Sequence, residues 1–414
     1  MAEFGLVTRE IDSESARKLS LEAVCGRDGF LFARGDTGVA GRGVIEQVPF
    51  AAVLDLQSSL GTPSVDGAPG AVLFVAVNFD GRSGNVTLPR ICVRRATDGR
   101  TWLHAPHDVT VDDVIAEVAS DKPGGRDASV RSSSTTPAPD VSFTVRPGVP
   151  VATYLAAVGA ARNAVAQGRL AKAVIARNVI VESTAPFDVP RIVDRLRRNF
   201  GSSYRFHFNG LVGASPELLV ERDGATVRSH PLAGTTTRTG DPRVDAQLAA
   251  ELLASSKNQL EHRVVIDMVH DTLLPWCSYL DWQPEAEVVA VANVQHLGTR
   301  VEGRLGDPPP PVTDLVRALV PTPALGGHPR DAAMDFIGAH EGFDRGRYGG
   351  AVGWMDASGD GTFAVTIRCG IIDETGSRAE LYAGGGIVAG SEPLLELDET
   401  RAKFQAMLSV FVRP

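Results

Sequence analysis

Apolar residues along this chain fall mostly in short continuous or alternating runs, a pattern that predicts strands. Ala71-Val-Leu-Phe-Val-Ala-Val-Asn-Phe79 is apolar enough for a buried strand, and Arg90-Ile-Cys-Val-Arg-Arg95 alternates as a second. Residues 1 to about 120 therefore look like short strands and turns with one or two helices. Ser120 to Asp140 breaks the pattern with Ser, Thr, Pro and Asp, centred on Arg131-Ser-Ser-Ser-Thr-Thr-Pro-Ala-Pro139. Such a composition cannot bury a core and predicts an exposed, flexible insert over 121–145.

Beyond the insert, the period changes to that of a helix from Thr153 to about Gln167, closed by Gly168. Leu170 to Glu182 predicts a long strand with Lys172 in its apolar opening. A lysine there either snorkels to the surface or is functional. A helix from Val189 to Phe200 precedes a run of strands through Tyr204–Asn209 and Gly210–Arg222, with a hairpin turn at Asp223-Gly224. Glu217 follows Pro216 at the entry to one of them, a place that suits a surface carboxylate on an edge strand. Gly234 to Gly240 predicts a polar loop. Residues 243–274 predict one long helix with an apolar stripe through Leu248, Leu252, Leu260, Val264, Met268 and Val269, and Glu261 and His262 at its boundary. Val288 to Val294 predicts a strand leading to His296. Helices are expected at Val312–Leu319 and Arg330–Ala339. Tyr348–Met355 and Thr362–Cys369 predict a hairpin whose second strand places Arg368 on the less apolar face, free to bind a carboxylate.

Composition narrows the class. The 414 residues carry a net charge of −9, which disfavours nucleic acid as a partner. The N-terminus lacks a basic segment followed by an apolar core, and no apolar run reaches the length of a membrane span, so a cytoplasmic protein is expected. Cys25, Cys92, Cys277 and Cys369 are far apart and predict reduced core thiols.

The segment with the most chemistry is Leu381-Tyr-Ala-Gly-Gly-Gly-Ile387 followed by Pro393. It predicts strand, glycine turn, then a helix with Pro393 in its first turn. Gly384, Gly385 and Gly386 let a ligand approach the backbone. Glu396 and Glu399 share one helical face, with Lys403 one turn on. Two close carboxylates beside bare backbone suit a divalent cation and an anionic small molecule, although a solvated acidic helix face has the same pattern. Two motifs in the chain mislead. Gly384-Gly-Gly386-Ile-Val-Ala389 matches a dinucleotide fingerprint, but no parallel strand follows it. Asp356-x-Ser358-x-Asp360-Gly361 opens like a calcium loop, but its twelfth position is Ile367.

Several motifs together, in order over about residues 150–412, carry a resemblance. They are Leu170-Ala-Lys-Ala-Val, Gly213-Ala-Ser-Pro-Glu-Leu-Leu, Pro231-Leu-Ala-Gly-Thr, Ser256-Lys-Asn-Gln-Leu-Glu-His, Pro321-Thr-Pro-Ala-Leu-Gly-Gly, Phe343-Asp-Arg-x-x-Tyr-Gly-Gly, Thr366-Ile-Arg-Cys and the glycine segment with its Glu-x-x-Glu-Thr. The chain resembles the chorismate-utilising enzymes, and the Phe-Asp-Arg and Gly-Trp-x-Asp segments look most like isochorismate synthases. The resemblance implies an α+β, anthranilate synthase component I-like fold of two large, mostly antiparallel sheets in a layered sandwich with outer helices. Residues 1–120 would complete that fold and 146–414 would form the catalytic region.

The resemblance also implies roles. Lys172 would be the general base that activates water, and Glu217 the general acid that protonates the departing C4 hydroxyl. Glu261, Glu396 and Glu399 would hold Mg²⁺. Arg368 and Tyr382 would bind the enolpyruvyl carboxylate. Gly234, Thr235, Gly384 and Gly386 would shape the pocket, with His296, Leu325 and Ile367 at the substrate. The implied substrate is chorismate, taken by a monomer without an obligate amidotransferase subunit, and with neither nucleic acid nor membrane as partner. Lys172 stands where ammonia-using relatives have glutamine, and Ala233 where aminodeoxychorismate synthases have a lysine. The first favours water as the nucleophile, and the second argues against the aminodeoxychorismate branch. Gly385 replaces the usual alanine of the glycine segment, and Val320 stands where isochorismate synthases usually carry histidine. The alternatives are a salicylate synthase, which also eliminates pyruvate, and a catalytically idle homologue.

Overall fold

A computed structural model describes residues 4–61, 68–121, 141–291 and 293–412. The heart of the expected 121–145 insert, residues 122–140, lies outside the described residues; its end does not, because Phe143–Pro147 is a strand.

The N-terminal region is more regular than its sequence suggests. Its described residues hold four short α-helices and six strands, two of them long: Thr37–Pro49 and Gly84–Arg95. These two pair with each other over almost their whole length, and the rest of the fold spreads from them in two arms. One arm runs through Phe30–Arg34, Tyr204–Phe208, Leu211–Ser215, Cys369–Ile372, Arg378–Ile387 and Lys172–Ser183. The other runs through Val72–Val77, Ala351–Asp356, Gly361–Val365, Leu218–Asp223, Thr226–His230, Val301–Leu305 and Cys277–Trp282. All of these pairings are antiparallel. The two sheets expected from the resemblance are thus one connected network of 19 strands among the described residues, folded on itself, with a separate three-stranded sheet beside it.

Strand alternation shows how the arms are layered. Phe30 and Phe32 enter a core shared with Val72–Val77, Phe206, Phe208 and Phe363, between the two arms. Leu31 and Ala33, facing the other way, enter a second core with Ile192, Leu196, Phe404 and Met407, under the outer helices. Phe206 and Phe363 are fully buried, and each such side chain contributes roughly 1.5–3 kcal/mol of transfer free energy.

Several local expectations change. The single helix over 243–274 is two, Pro242–Ala254 and Ser256–Leu273. Ser255 is extended between them, and its hydroxyl accepts from the Asn258 N–H, so a serine N-cap outweighs the continuous apolar stripe. Leu260 of that stripe is 69% exposed, while His262 is buried. Val288–Val294 is split into Glu287–Val291 and Val294–Gly298, which pair as a hairpin. Gly234 to Thr237 is not loop but part of the strand Leu232–Thr237. The glycines 384–386 are not a turn either. They finish the strand Arg378–Ile387, paired residue by residue with Ala176, Ile175 and Val174, and the turn comes at 388–392. The helix Pro393–Phe411 begins at the proline, as expected.

Candidate functional site

One cleft of about 250 Å³ gathers every site residue named from the sequence. Its floor is the end of the long antiparallel pair. Lys172 opens the strand Lys172–Ser183, and Gly384–Gly386 close the strand beside it. Lys172 is buried, and its Nζ lies 2.7 Å from Glu261 Oε1 on the helix Ser256–Leu273. A Cβ on Gly386 would fall 2.5 Å from Lys172 Cε and 2.7 Å from Glu261 Oε1. Only glycine leaves room for the pair.

Glu217 is not an edge-strand surface group. It is buried against the cleft, and its Oε1 accepts from the Leu232 N–H at 3.4 Å. Burial pushes its carboxyl up to about 8, against the opposite pull of the Leu232 N–H, Lys172 and Arg368. Glu217 is therefore a neutral, proton-bearing acid at neutral pH.

Glu396 and Glu399 project from the first turns of the helix Pro393–Phe411 toward Gly385, whose missing Cβ would sit 2.9 Å from Glu396 Oε2. Burial and the neighbouring Glu399 raise the Glu396 carboxyl. Burial also acts to raise Glu399, but Lys403 outweighs it and holds that carboxyl low. The Lys403 ammonium reaches Glu399 Oε1 at 2.6 Å and the Gly384 carbonyl at 2.7 Å. Among the described residues, no three metal-ligating side chains stand together in ligating geometry. Two of the three glutamates are instead engaged by the lysines Lys172 and Lys403.

Arg368 reaches the cleft by a route that strand alternation does not supply. The strand ends at Val365, and Arg368 adopts φ +50 before the chain re-enters the sheet at Cys369. The Arg368 carbonyl accepts from the Ala214 N–H at 3.0 Å, and a Cβ on Gly213 would collide with that carbonyl at 2.6 Å. The strained backbone is thus held from outside. His296 Nε2 lies 3.3 Å from Arg368 Nη2, and its Nδ1 lies 3.1 Å from both the Gly234 carbonyl and the Thr235 hydroxyl. Burial and Arg368 drive the imidazole down to about 3, so it is neutral. It donates from Nδ1 to Gly234 and accepts from Arg368 at Nε2. Gly234 itself is a bulge at φ +70, which shifts the register between Ala233 and Thr235.

Tyr382 stacks on Tyr348 at 5.1 Å, and Leu325 and Ile367 complete the apolar side. Seven lining residues were not singled out from the sequence: Val174, Leu232, Lys257, Asn258, Ala324, Tyr348 and Ala383. Each lies inside a quoted motif, so the motif boundaries were the available signal. Cationic, acidic and apolar walls around one neutral carboxylic acid suit a small polyanionic ring compound.

The family model described as "Chorismate binding enzyme" matches residues 74–412. Isochorismate synthase of Bacillus subtilis is 42% identical over 255 residues, which cover 59% of this chain and 64% of the relative. The chain therefore spans somewhat less than two thirds of that relative's length. A putative isochorismate synthase of Mycobacterium tuberculosis is 42% identical over 273 residues, covering 63% of this chain and 73% of the relative. The crystal structure of a putative 2,3-dihydroxybenzoate-specific isochorismate synthase from Bacillus anthracis aligns over 96% of this chain and 98% of its own, with a TM-score of 0.76 and 29% identity. In the part of the chain matched, in the order of its motifs and in the fold that joins them, this chain belongs to the family of chorismate-binding enzymes.

Proposed function

We propose that the protein is a Mg²⁺-dependent isochorismate synthase. It would add water at C2 of chorismate and release the C4 hydroxyl as water, with the ring double bonds shifting between. The observation that carries this reading is Glu217, a buried carboxylic acid held protonated in the same cleft as the amine of Lys172. Lys172 takes the proton from the attacking water, and Glu217 gives its proton to the leaving hydroxyl. Arg368, oriented by neutral His296, meets the enolpyruvyl carboxylate, and Tyr382 lies beside it. Residues Gly384–Gly386 bring bare backbone to the ring.

Glu261, Glu396 and Glu399 would hold the cation. The donor chemistry fits: three carboxylates suit a hard ion, Glu396 is raised partly by its like-charged neighbour, and the Lys172 and Lys403 side chains lie against the other two. A bound Mg²⁺ supplies a fixed positive charge for the ring carboxylate. Water as nucleophile follows from Lys172, where ammonia-using relatives carry glutamine.

The test is product analysis with purified protein, chorismate and Mg²⁺, resolved by chromatography with an EDTA control. Isochorismate alone, absent with EDTA, is expected. Unchanged chorismate in both would overturn the reading, and salicylate with pyruvate would replace it by salicylate synthesis. Two glycines give a sharper check. Gly386→Ala should lower kcat at least tenfold, because the new Cβ displaces Lys172 and Glu261. Gly385→Ala should lower kcat less than Gly386→Ala does, because its Cβ meets the movable end of Glu396 at 2.9 Å and lies in ordinary contact with Glu399 at 3.7 Å. It should also gain a few tenths of a kcal/mol in stability, since glycine is poor inside a strand. Equal rates for both variants would contradict the placement of the Lys172–Glu261 pair.

A further inference from the structure

The strand Lys172–Ser183 is paired along one side with Arg378–Ile387 for ten residues. Its other side is covered only at the ends. Gly327–His328 pairs with Ala173 and Lys172, and Phe143–Pro147 pairs with residues 183 to 179. Between these lies a gap beside the buried Val174 and Ala176: the Val174 N–H still donates to the Gly326 carbonyl at 2.9 Å, but the Val174 carbonyl and the Ala176 N–H meet no strand on this side. A buried ladder group without a hydrogen bond is costly.

An ion pair fills the gap. Glu341 follows the helix Arg330–His340, and Arg345 comes four residues later. Both are buried. Glu341 Oε1 accepts from the Ala176 N–H at 2.7 Å. Arg345 donates from Nη2 to the Val174 carbonyl at 2.8 Å, from Nη1 to the Leu325 carbonyl at 2.7 Å and from Nε to Glu341 Oε2 at 2.8 Å. Its guanidinium packs over Phe79 at 4.2 Å, and its own carbonyl accepts from the Tyr348 N–H at 2.9 Å.

We propose that the Glu341–Arg345 pair is a positioning device that stands in for a missing strand and sets where Lys172 sits in the cleft. The proposal rests on the isochorismate synthase reading, in which Lys172 is the base. The grip falls two and four residues beyond Lys172, on the same strand, and extends to Leu325 and Tyr348 on the facing wall. A real strand in the gap would displace the 321–326 segment, which supplies Ala324 and Leu325 to the cleft. A forked side chain supplies the hydrogen bonds and leaves that wall in place. Arginine is required by geometry: a lysine ammonium cannot reach Glu341, Leu325 and Val174 together.

The test uses Arg345→Lys and the double variant Glu341→Leu/Arg345→Met, assayed well below their melting temperatures. The double variant removes both charges at once and so leaves no lone buried ion, a change that buried ion pairs often tolerate. In both, kcat should fall about tenfold or more with KM within about threefold, because a small displacement of a reacting group is enough. Hydrogen exchange of the 172–178 segment should quicken at least tenfold while the strand Phe30–Arg34 stays protected. Wild-type kcat in either folded variant, or unchanged exchange at 172–178, overturns the proposal. If the wild type itself yields no isochorismate, the reaction reading fails, and the exchange measurement still decides whether the pair holds this strand.

Discussion

Lys172→Ala should lower kcat by about a thousandfold, within the range general-base catalysis supplies, while chorismate still binds. The expectation follows from position. The amine is buried in the cleft, at the mouth of the strand pair, and among the described residues it touches only Glu261 of the charged groups within salt-bridge reach. Two explanations of a loss must be separated, because the lysine is also an ion-pair partner. Lys172→Arg separates them. Arginine keeps a positive charge for Glu261 but does not give up its proton in water, so it should be as inactive as alanine. Calorimetry with chorismate should give a Kd within a few-fold of wild type for the arginine variant. A Lys172→Arg enzyme with near wild-type kcat would show that the lysine only neutralises Glu261, and the general base would have to be found elsewhere.

The parts of this site differ in how far the sequence discloses them. Residue types and their order along the chain are legible, since acid, base and carboxylates each sit in a short motif. Their convergence is not, because it depends on pairings between distant segments. Lys172 and Glu261 are 89 residues apart and meet only through the sheet and the helix laid across it. Arg368 shows why local periodicity can place a side chain for the wrong reason. Alternation carried through to Cys369 predicts its face, yet the strand stops at Val365 and a positive φ does the aiming. Glycines 384–386 have turn composition, but a neighbouring strand with ten paired residues overrides it. Glu217 has the opposite history. Its local sequence fits an exposed edge, and only the surrounding fold makes it a buried acid. Arg345 is visible as part of a motif and Glu341 stands two residues before that motif, but that they replace a strand is apparent only once the gap beside Ala176 is seen.

Glu217→Gln should lower kcat by about a thousandfold as well, and it should change the response to pH in a way that no other cleft substitution would. The amide is nearly isosteric and still accepts from the Leu232 N–H, so the fold should persist, but it has no proton to release. In the wild type, burial holds the carboxyl near 8 in the folded protein, against an ordinary glutamate value of about 4.3 when unfolded. The folded state therefore binds an extra proton between these values. Stability from this group is complete below the unfolded value and is lost as pH rises through about 8, where the buried carboxyl must ionise. At about 1.4 kcal/mol per unit, the loss is on the order of a few kcal/mol. The wild-type melting temperature should thus fall from pH 5 to pH 9 relative to Glu217→Gln, and wild-type kcat should fall across the upper part of that range as the acid loses its proton. Lys172 and Arg368 both oppose the shift, so removing either charge should move the fall in melting temperature to higher pH. Parallel melting curves for wild type and Glu217→Gln across this range would mean that the carboxyl is already ionised, and that the proton for the leaving hydroxyl comes from another group.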